Sequence, residues 1–185
     1  MAAYREFVGG LDGVGGVQVY PTWNGGGTVK LSIIGADWQP ASSNLVNNVQ
    51  NAVDPPPNQG FGLGMAPIGA KVTVVAPTKV TVNVSATVTL SSGYEIGQVK
   101  EPITQAINSY LLKIRQDWAQ PTVKGGIEYS SSVFVAQIIS AIINTTGVIN
   151  ATNVTINGAA ADITLTQTGT VQQVPVIGTV DLNVA

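Results

Sequence analysis

The chain has 185 residues, a mass of 19.0 kDa and a formal net charge of -2 at pH 7. This length suits one large domain or two small ones, which can fold without a disulfide or a metal ion. The chain has no Cys and no His, which excludes disulfides, Cys/His zinc sites, haem ligation by His, and Ser-His-Asp or Cys-His catalysis. The slightly acidic balance argues against nucleic acid as the main partner, because phosphate binding normally needs a dense basic surface.

Charged residues make up only 10% of the chain, against about 25% in an average protein. The longest apolar stretch, Val133 to Ile143, has eleven residues, whereas a membrane-spanning helix needs about 20. The chain begins with Arg5 and Glu6 where a signal peptide would have an apolar core. A neutral surface protects a monomer poorly from association, so we expect partner subunits to cover much of it.

The first part of the chain is predicted to form two helices and three strands. In chain order they are the end of a helix at Met1 to Val8, a strand around Val17 and Val19, a strand at Thr28 to Ile34, a helix whose apolar face runs from Leu45 to Val53, and a strand at Lys71 to Ala76. A glycine-rich loop joins the first two strands as a hairpin. Ser42 or Ser43 caps the second helix, and the prolines after Asp54 end it because they lack the amide donor.

The second part contains the clearest periodicity. From Val80 to Leu90, apolar residues alternate with Thr, Asn and Ser, which predicts a half-buried strand with a polar, uncharged outward face. The later elements are a helix from about Tyr94 to Asp117 with Pro102 near its first turns, a glycine-containing connection, a strand at Ile127 to Tyr129, a helix capped by Ser130 to Ser132 and ending near Thr146-Gly147, and strands at Val148 to Ile156, Ile163 to Leu165 and Val174 to Val184. Because the helix after Ser132 is apolar almost all round, we expect it to be sandwiched between other elements.

These elements predict an α+β fold with two small modules of mixed or antiparallel sheet packed with helices. The break at Pro77-Thr78 separates a strand of the first module from the long alternating strand of the second. The predicted domains are therefore residues 1–76 and residues 77–185.

The glycine clusters do not complete a phosphate-binding motif. Gly13-Val14-Gly15 is followed by Gln18 where a dinucleotide-binding loop needs a third glycine, and Gly60-Phe61-Gly62 is followed by Met65. The ten carboxylates are scattered without a paired or Ca²⁺-binding pattern. The sequence thus offers no candidate catalytic, cofactor-binding or metal-binding residue, and it predicts a protein that is not an enzyme and needs no cofactor.

Three tryptophans, Trp23, Trp38 and Trp118, lie beside loops or at a helix end. Packing in a core is one interpretation for each of them. The other is that they anchor an interface, because Trp is enriched at binding hot spots.

Segments spread along the chain resemble the C-terminal half of baseplate J-like proteins, which belong to contractile-tailed phages and related phage-tail-like particles. The segments, in order, are GVGGVQVYP, GTVKLSI, DPPP, GFGLGMAPIGAKVTVVAP, VTVNVSATVTLSSGY, AINSYL, SSSVFVAQIISAI, TGVINATNVTINGAAADITL and VPVIGTVDLNV. Members of this family usually carry a substantial region before the helix that ends here at Tyr4 to Val8, so we expect that helix to continue a missing N-terminal region.

The resemblance implies a structural subunit of the baseplate wedge that acts through protein–protein assembly. Its implied partners are other wedge and tail proteins and further copies of itself, without nucleic acid, membrane insertion or a small-molecule substrate. The implied location is the tail baseplate of the virion, after assembly in the bacterial host cytoplasm. The alternative is a β-rich ligand- or carbohydrate-binding module, for which exposed Trp, Thr and Asn side chains would form the ligand platform.

Overall fold

A computed structural model of the protein describes residues 1–123 and 127–185. The elements in chain order are α1 (Ala2–Gly9), β1 (Val14–Pro21), β2 (Thr28–Gly35), α2 (Ser43–Val53), β3 (Lys71–Val75), β4 (Thr78–Leu90), α3 (Ile96–Asp117), β5 (Thr122–Val123), β6 (Ile127–Glu128), β7 (Ser131–Val133), α4 (Val135–Ile143), β8 (Val148–Ile156), β9 (Ile163–Leu165) and β10 (Gln173–Val184). The predicted α+β class is confirmed. The glycine-containing connection predicted before Ile127 includes residues 124–126, which lie outside the described residues.

The chain folds into two compact units, each made of three stretches. Unit 1 comprises Met1–Thr78, Arg115–Ser130 and Thr166–Val174, and unit 2 comprises Lys79–Ile114, Ser131–Leu165 and Pro175–Ala185. The division of the chain into domains 1–76 and 77–185 stays a prediction.

Unit 1 is built on the sheet β1-β2-β3. β1 and β2 form the predicted antiparallel hairpin, while β2 and β3 are parallel and are connected through α2, as parallel neighbours require a crossover. The Oγ of Ser42 accepts a hydrogen bond from the Leu45 amide at 3.2 Å, which confirms the predicted cap of α2. Val49 and Val53 of α2 are buried in the core of this unit with Leu31 of β2.

Unit 2 contains the sheet β10-β4-β8, with β4 in the centre. The period-two prediction for β4 is confirmed, since its buried side chains are Val82, Val84, Ala86 and Val88. Thr81, Asn83 and Thr89 on the other face are exposed, and Ser85 and Thr87 are half-buried. The buried side of β4 packs into one core with the apolar side chains of α3 and α4.

The start of α4 differs from its prediction. Ser131 lies in β7, which pairs with β9, and the residue that precedes the helix is Phe134, without a side-chain cap. The Val135 amide instead donates to Oδ1 of Asp162 at 2.8 Å. The serine cap is therefore wrong, because a strand pairing takes those serines and a carboxylate distant in sequence satisfies the helix end.

The end and the environment of α4 also differ from expectation. The helix ends at Ile143, before the predicted Thr146-Gly147. Ile138 and Ile142 are fully buried, but 42% of the Ile143 surface is exposed. In the single chain α4 therefore buries one face only, and the sandwiched arrangement predicted from its composition is wrong.

Candidate assembly surfaces

The acidic side chains of the described residues do not form a metal site. Within residues 1–123 and 127–185, no cluster of three or more His, Cys, Asp or Glu residues could hold a metal ion. In those same ranges no helix combines the length and the apolar character needed to cross a membrane. The features that call for a functional explanation are apolar side chains left in solvent.

The most exposed apolar side chains of unit 1 lie in one loop, residues 58–70, which we call the apolar loop. Its exposed members are Phe61 at 67%, Leu63 at 64% and Ile68 at 84%. No residue of the loop is charged. Contiguous exposed apolar surface is uncommon on a soluble chain and usually marks an interaction site, so this loop is the first candidate surface.

Asp54 anchors the base of the apolar loop. Its side chain is completely buried, where Oδ1 accepts the Gly60 amide at 2.9 Å and Oδ2 accepts the Val72 amide at 2.8 Å. These two bonds offset the cost of removing a carboxylate from water. The Gly69 amide donates to the Gly60 carbonyl at 2.8 Å and closes the loop above this anchor.

The middle of the loop is fixed to the end of α2 by its backbone. The Ala66 amide donates to the Val53 carbonyl at 2.9 Å, and the Met65 amide donates to the Ala52 carbonyl at 3.2 Å. A Cβ at Gly64 would lie 2.7 Å from the carbonyl carbon of Val53, so only glycine fits this close approach. The loop thus presents its apolar side chains from a backbone held at several points.

The neighbouring edge of the sheet is closed to strand addition. β3 is an edge strand, and Oε1 of Gln50 accepts the Val74 amide at 2.8 Å while the Val72 amide is held by Asp54. The Val72 carbonyl accepts bonds from Nε2 of Gln59 at 2.9 Å and Nε2 of Gln50 at 3.1 Å. Because side chains occupy these edge groups, a partner meets side chains here rather than extending the sheet.

Unit 2 carries a second apolar surface, an open groove of about 600 Å³. We call it the unit 2 groove, and it is lined by Thr89, Leu90, Ser91, Ser92, Gly93, Tyr94, Glu95, Ile96, Val184 and Ala185. Tyr94 is 39% exposed and Val184 is 56% exposed. The Tyr94 ring lies directly against Gly147, where a Cβ would collide with it, so one wall of the groove is fixed in place.

The polar face of β4 borders a different depression, of about 450 Å³. Its amide side chains already have partners. Oδ1 of Asn157 accepts the Asn83 amide at 2.9 Å and Nδ2 donates to the Thr81 carbonyl at 3.0 Å, while Oδ1 of Asn83 accepts the Thr179 amide at 3.0 Å. These groups bind neighbouring strands together, which leaves the face neutral but weakly equipped to bind a polar ligand.

The tryptophans do not form an exposed platform. Trp118 is 2% exposed, and its Nε1 donates to Oε1 of Gln167 and to the Gln173 carbonyl, each at 3.1 Å. Trp38 is half-buried against the small cluster around Trp118, and Trp23 is also half-buried. Core packing is therefore the correct interpretation for Trp118, and the exposed tryptophans required by a carbohydrate-binding module are not observed at any of these three positions.

Trp23 has a cation as its neighbour. Nζ of Lys30 lies 3.9 Å from the centre of the Trp23 ring and donates to the Thr170 carbonyl at 3.3 Å. Burial lowers the pKa of Lys30 below its ordinary value. This lysine holds a loop of unit 1 through a cation–π contact and a hydrogen bond, and no pattern in the sequence marks it for that role.

Two α+β units with fixed apolar surfaces and no assembled catalytic group among the described residues define a structural assembly protein. The model of the Baseplate J-like central domain matches residues 1–76, and the model of the Baseplate J-like protein C-terminal domain matches residues 82–183. The chain therefore belongs to the baseplate J-like family, and the resemblance seen in the sequence is confirmed.

Two proteins of Bacillus subtilis (strain 168) are similar to nearly the whole chain. Uncharacterized protein YqbT is 33% identical over 181 residues, which are 98% of this chain and 47% of that protein. Phage-like element PBSX protein XkdT is 31% identical over 179 residues, which are 97% of this chain and 46% of that protein. The chain thus spans about half the length of these relatives.

The fold is also similar to a solved structure. A chain of the anti-feeding prophage (AFP) baseplate, determined by cryo-electron microscopy with six-fold symmetry, superposes with a TM-score of 0.55 at 11% identity. The match covers 93% of this chain and 36% of that one. At this identity the similarity supports the fold.

Proposed function

We propose that this chain is part of a structural subunit of a contractile tail baseplate, in the wedge, and that it acts through protein–protein assembly. The observation that carries the proposal is the apolar loop, whose uncharged side chains are held in solvent by a buried anchor at Asp54. A protein gains nothing in its own stability from exposing such a surface. Membership of the baseplate J-like family supports the same assignment.

The proposed division of the chain is one module at residues 1–76 and a second at residues 77–185. The two family matches support it, because one ends at residue 76 and the other begins at residue 82. A separate family description for each part is what two modules with their own cores would produce.

The proposed role includes no catalysis, cofactor or small-molecule substrate. A sequence without Cys or His lacks the commonest nucleophile–base pairs and transition-metal ligands. The buried carboxylate of Asp54 is engaged by two backbone amides and holds structure. We therefore expect chelators to leave the thermal midpoint of the purified chain unchanged, and a fall in the midpoint on chelation would contradict this part of the proposal.

The proposed partners are other wedge and tail proteins and further copies of the chain itself. A net charge of -2 does not favour nucleic acid, and the proposal includes no membrane insertion. The proposed location is the tail baseplate of the virion, reached after assembly in the cytoplasm of the bacterial host.

Deletion of the gene followed by electron microscopy tests the proposal. In cells that produce the particle, we expect deletion to abolish particles with a complete baseplate and a plasmid copy to restore them. Western blots for another tail protein control for expression of the remaining genes. Normal baseplates in the deletion strain would refute the proposed function.

A further inference from the structure

The size of the apolar loop limits what can cover it. Phe61, Leu63 and Ile68 together expose on the order of 400 Å², given the usual areas of such side chains. A stable interface needs about 800 Å² from each partner. Two copies that met loop to loop would bury too little surface for a stable dimer, so the loop needs a larger receiving surface.

The unit 2 groove has the chemistry of such a receiving surface. Leu90, Tyr94, Ile96 and Val184 supply apolar wall, and Glu95 is the one charged residue among those that line it in the described part of the chain. Its volume of about 600 Å³ falls within the range of sites that hold bulky apolar groups. An uncharged loop entering this groove removes few ions from water, which is the main cost of burying polar surface.

We propose that the apolar loop of one copy inserts into the unit 2 groove of a second copy. The inference rests on the proposed function, and it names the surface and the partner for one of its contacts. Loop and groove are different surfaces, so the contact is head-to-tail: each copy keeps a free groove and a free loop for further copies. The bonds that Asp54 makes fix the loop before contact, which lowers the ordering cost of association.

Sedimentation of the full chain across concentration tests this contact. The wild-type chain associates, and the association constant changes by less than about twofold between about 50 mM and about 500 mM salt, because neutral contacts are weakly screened. Ile68→Asp in the loop and Val184→Asp in the groove each lower the association constant by about tenfold or more. Ile149→Asp is the matched control, because Ile149 is 64% exposed but lies in neither surface.

Mixing the variants separates a head-to-tail contact from a symmetric one. Ile68→Asp keeps an intact groove and Val184→Asp keeps an intact loop, so the mixture forms a dimer that neither variant forms alone. Each variant must first show the wild-type thermal midpoint, and Phe61→Asp replaces Ile68→Asp if that one fails. A wild-type monomer at every concentration, an unaffected Val184→Asp chain, or a mixture without the dimer overturns the contact. Failure of the baseplate assignment is seen separately, as normal baseplates after gene deletion.

Discussion

Replacing Ile138 of α4 by aspartate is expected to unfold unit 2. None of the Ile138 surface is exposed, and the side chain lies in the core cluster of that unit. Truncating a buried Ile to Ala costs about 2–5 kcal/mol, and an unpaired carboxylate in the same place adds several kcal/mol through lost solvation. Their total is comparable with the ~5–15 kcal/mol that keeps a typical domain folded.

Thermal melts followed by circular dichroism at pH 7 measure this effect. Ile138→Ala should lower the midpoint by about 4–20 °C, because a chain of this size loses about 2–4 °C per kcal/mol. Ile138→Asp should remove the transition or lower it further. Ile143→Asp is the matched control on the same helix, and its 42% exposure predicts a small change. A wild-type midpoint for Ile138→Asp, or an equal loss for Ile143→Asp, would refute the assigned face of α4.

Three further substitutions probe the loop anchor, a helix and the buried tyrosines. Gly64→Ala should destabilise unit 1 in urea melts, because its Cβ would meet the backbone of α2, whereas Gly26→Ala in open space should not. Gly97→Ala should raise the unfolding free energy by about 0.5–1 kcal/mol, because Gly97 lies in α3 with nothing near a new Cβ. Burial, and then the neighbouring Tyr129, raise the pKa of Tyr20; the unfolded state therefore ionises first and stability falls above about pH 10, a decline that Tyr20→Phe should make less steep.

Each comparison has its own contradicting result. Equal urea midpoints for Gly64→Ala and wild type would show that the loop does not need its close approach to α2. A lower midpoint for Gly97→Ala would indicate a hidden contact at that position. Identical alkaline limbs for Tyr20→Phe and wild type, measured from about pH 8 to 11 as thermal midpoints, would mean that Tyr20 ionises equally in both states, since all other groups cancel in this comparison.

Elements set by local pattern were predictable from the sequence. The alternation from Val80 to Leu90 and the Ser42 cap each depend on neighbours in the chain, and both were confirmed. The start of α4 was not predictable, because its first amide is satisfied by Asp162 and the preceding serines pair with β9. Contacts across such separations leave no local signal, so propensity favoured a serine cap.

The candidate surfaces were only partly readable. The sequence showed a neutral chain that needs partners, but the tryptophans, its best guess for anchors, include the buried Trp118. The apolar loop did carry a signal, since Phe61 and Leu63 alternate with glycine outside any regular period. What the pattern lacked was the role of Asp54, a residue that marks a helix end in sequence and anchors the loop in the structure.

Immunogold labelling of purified particles is the most direct test of baseplate membership. An antibody raised against this chain, shown to bind the folded protein, is applied to negatively stained tail particles from cells that carry the gene. Label concentrated at the baseplate end of the tail, and lost from particles of a deletion strain complemented with a relative that the antibody does not bind, is the predicted result. Particles with intact baseplates that carry no label, although mass spectrometry finds the chain elsewhere in the same lysate, would contradict it.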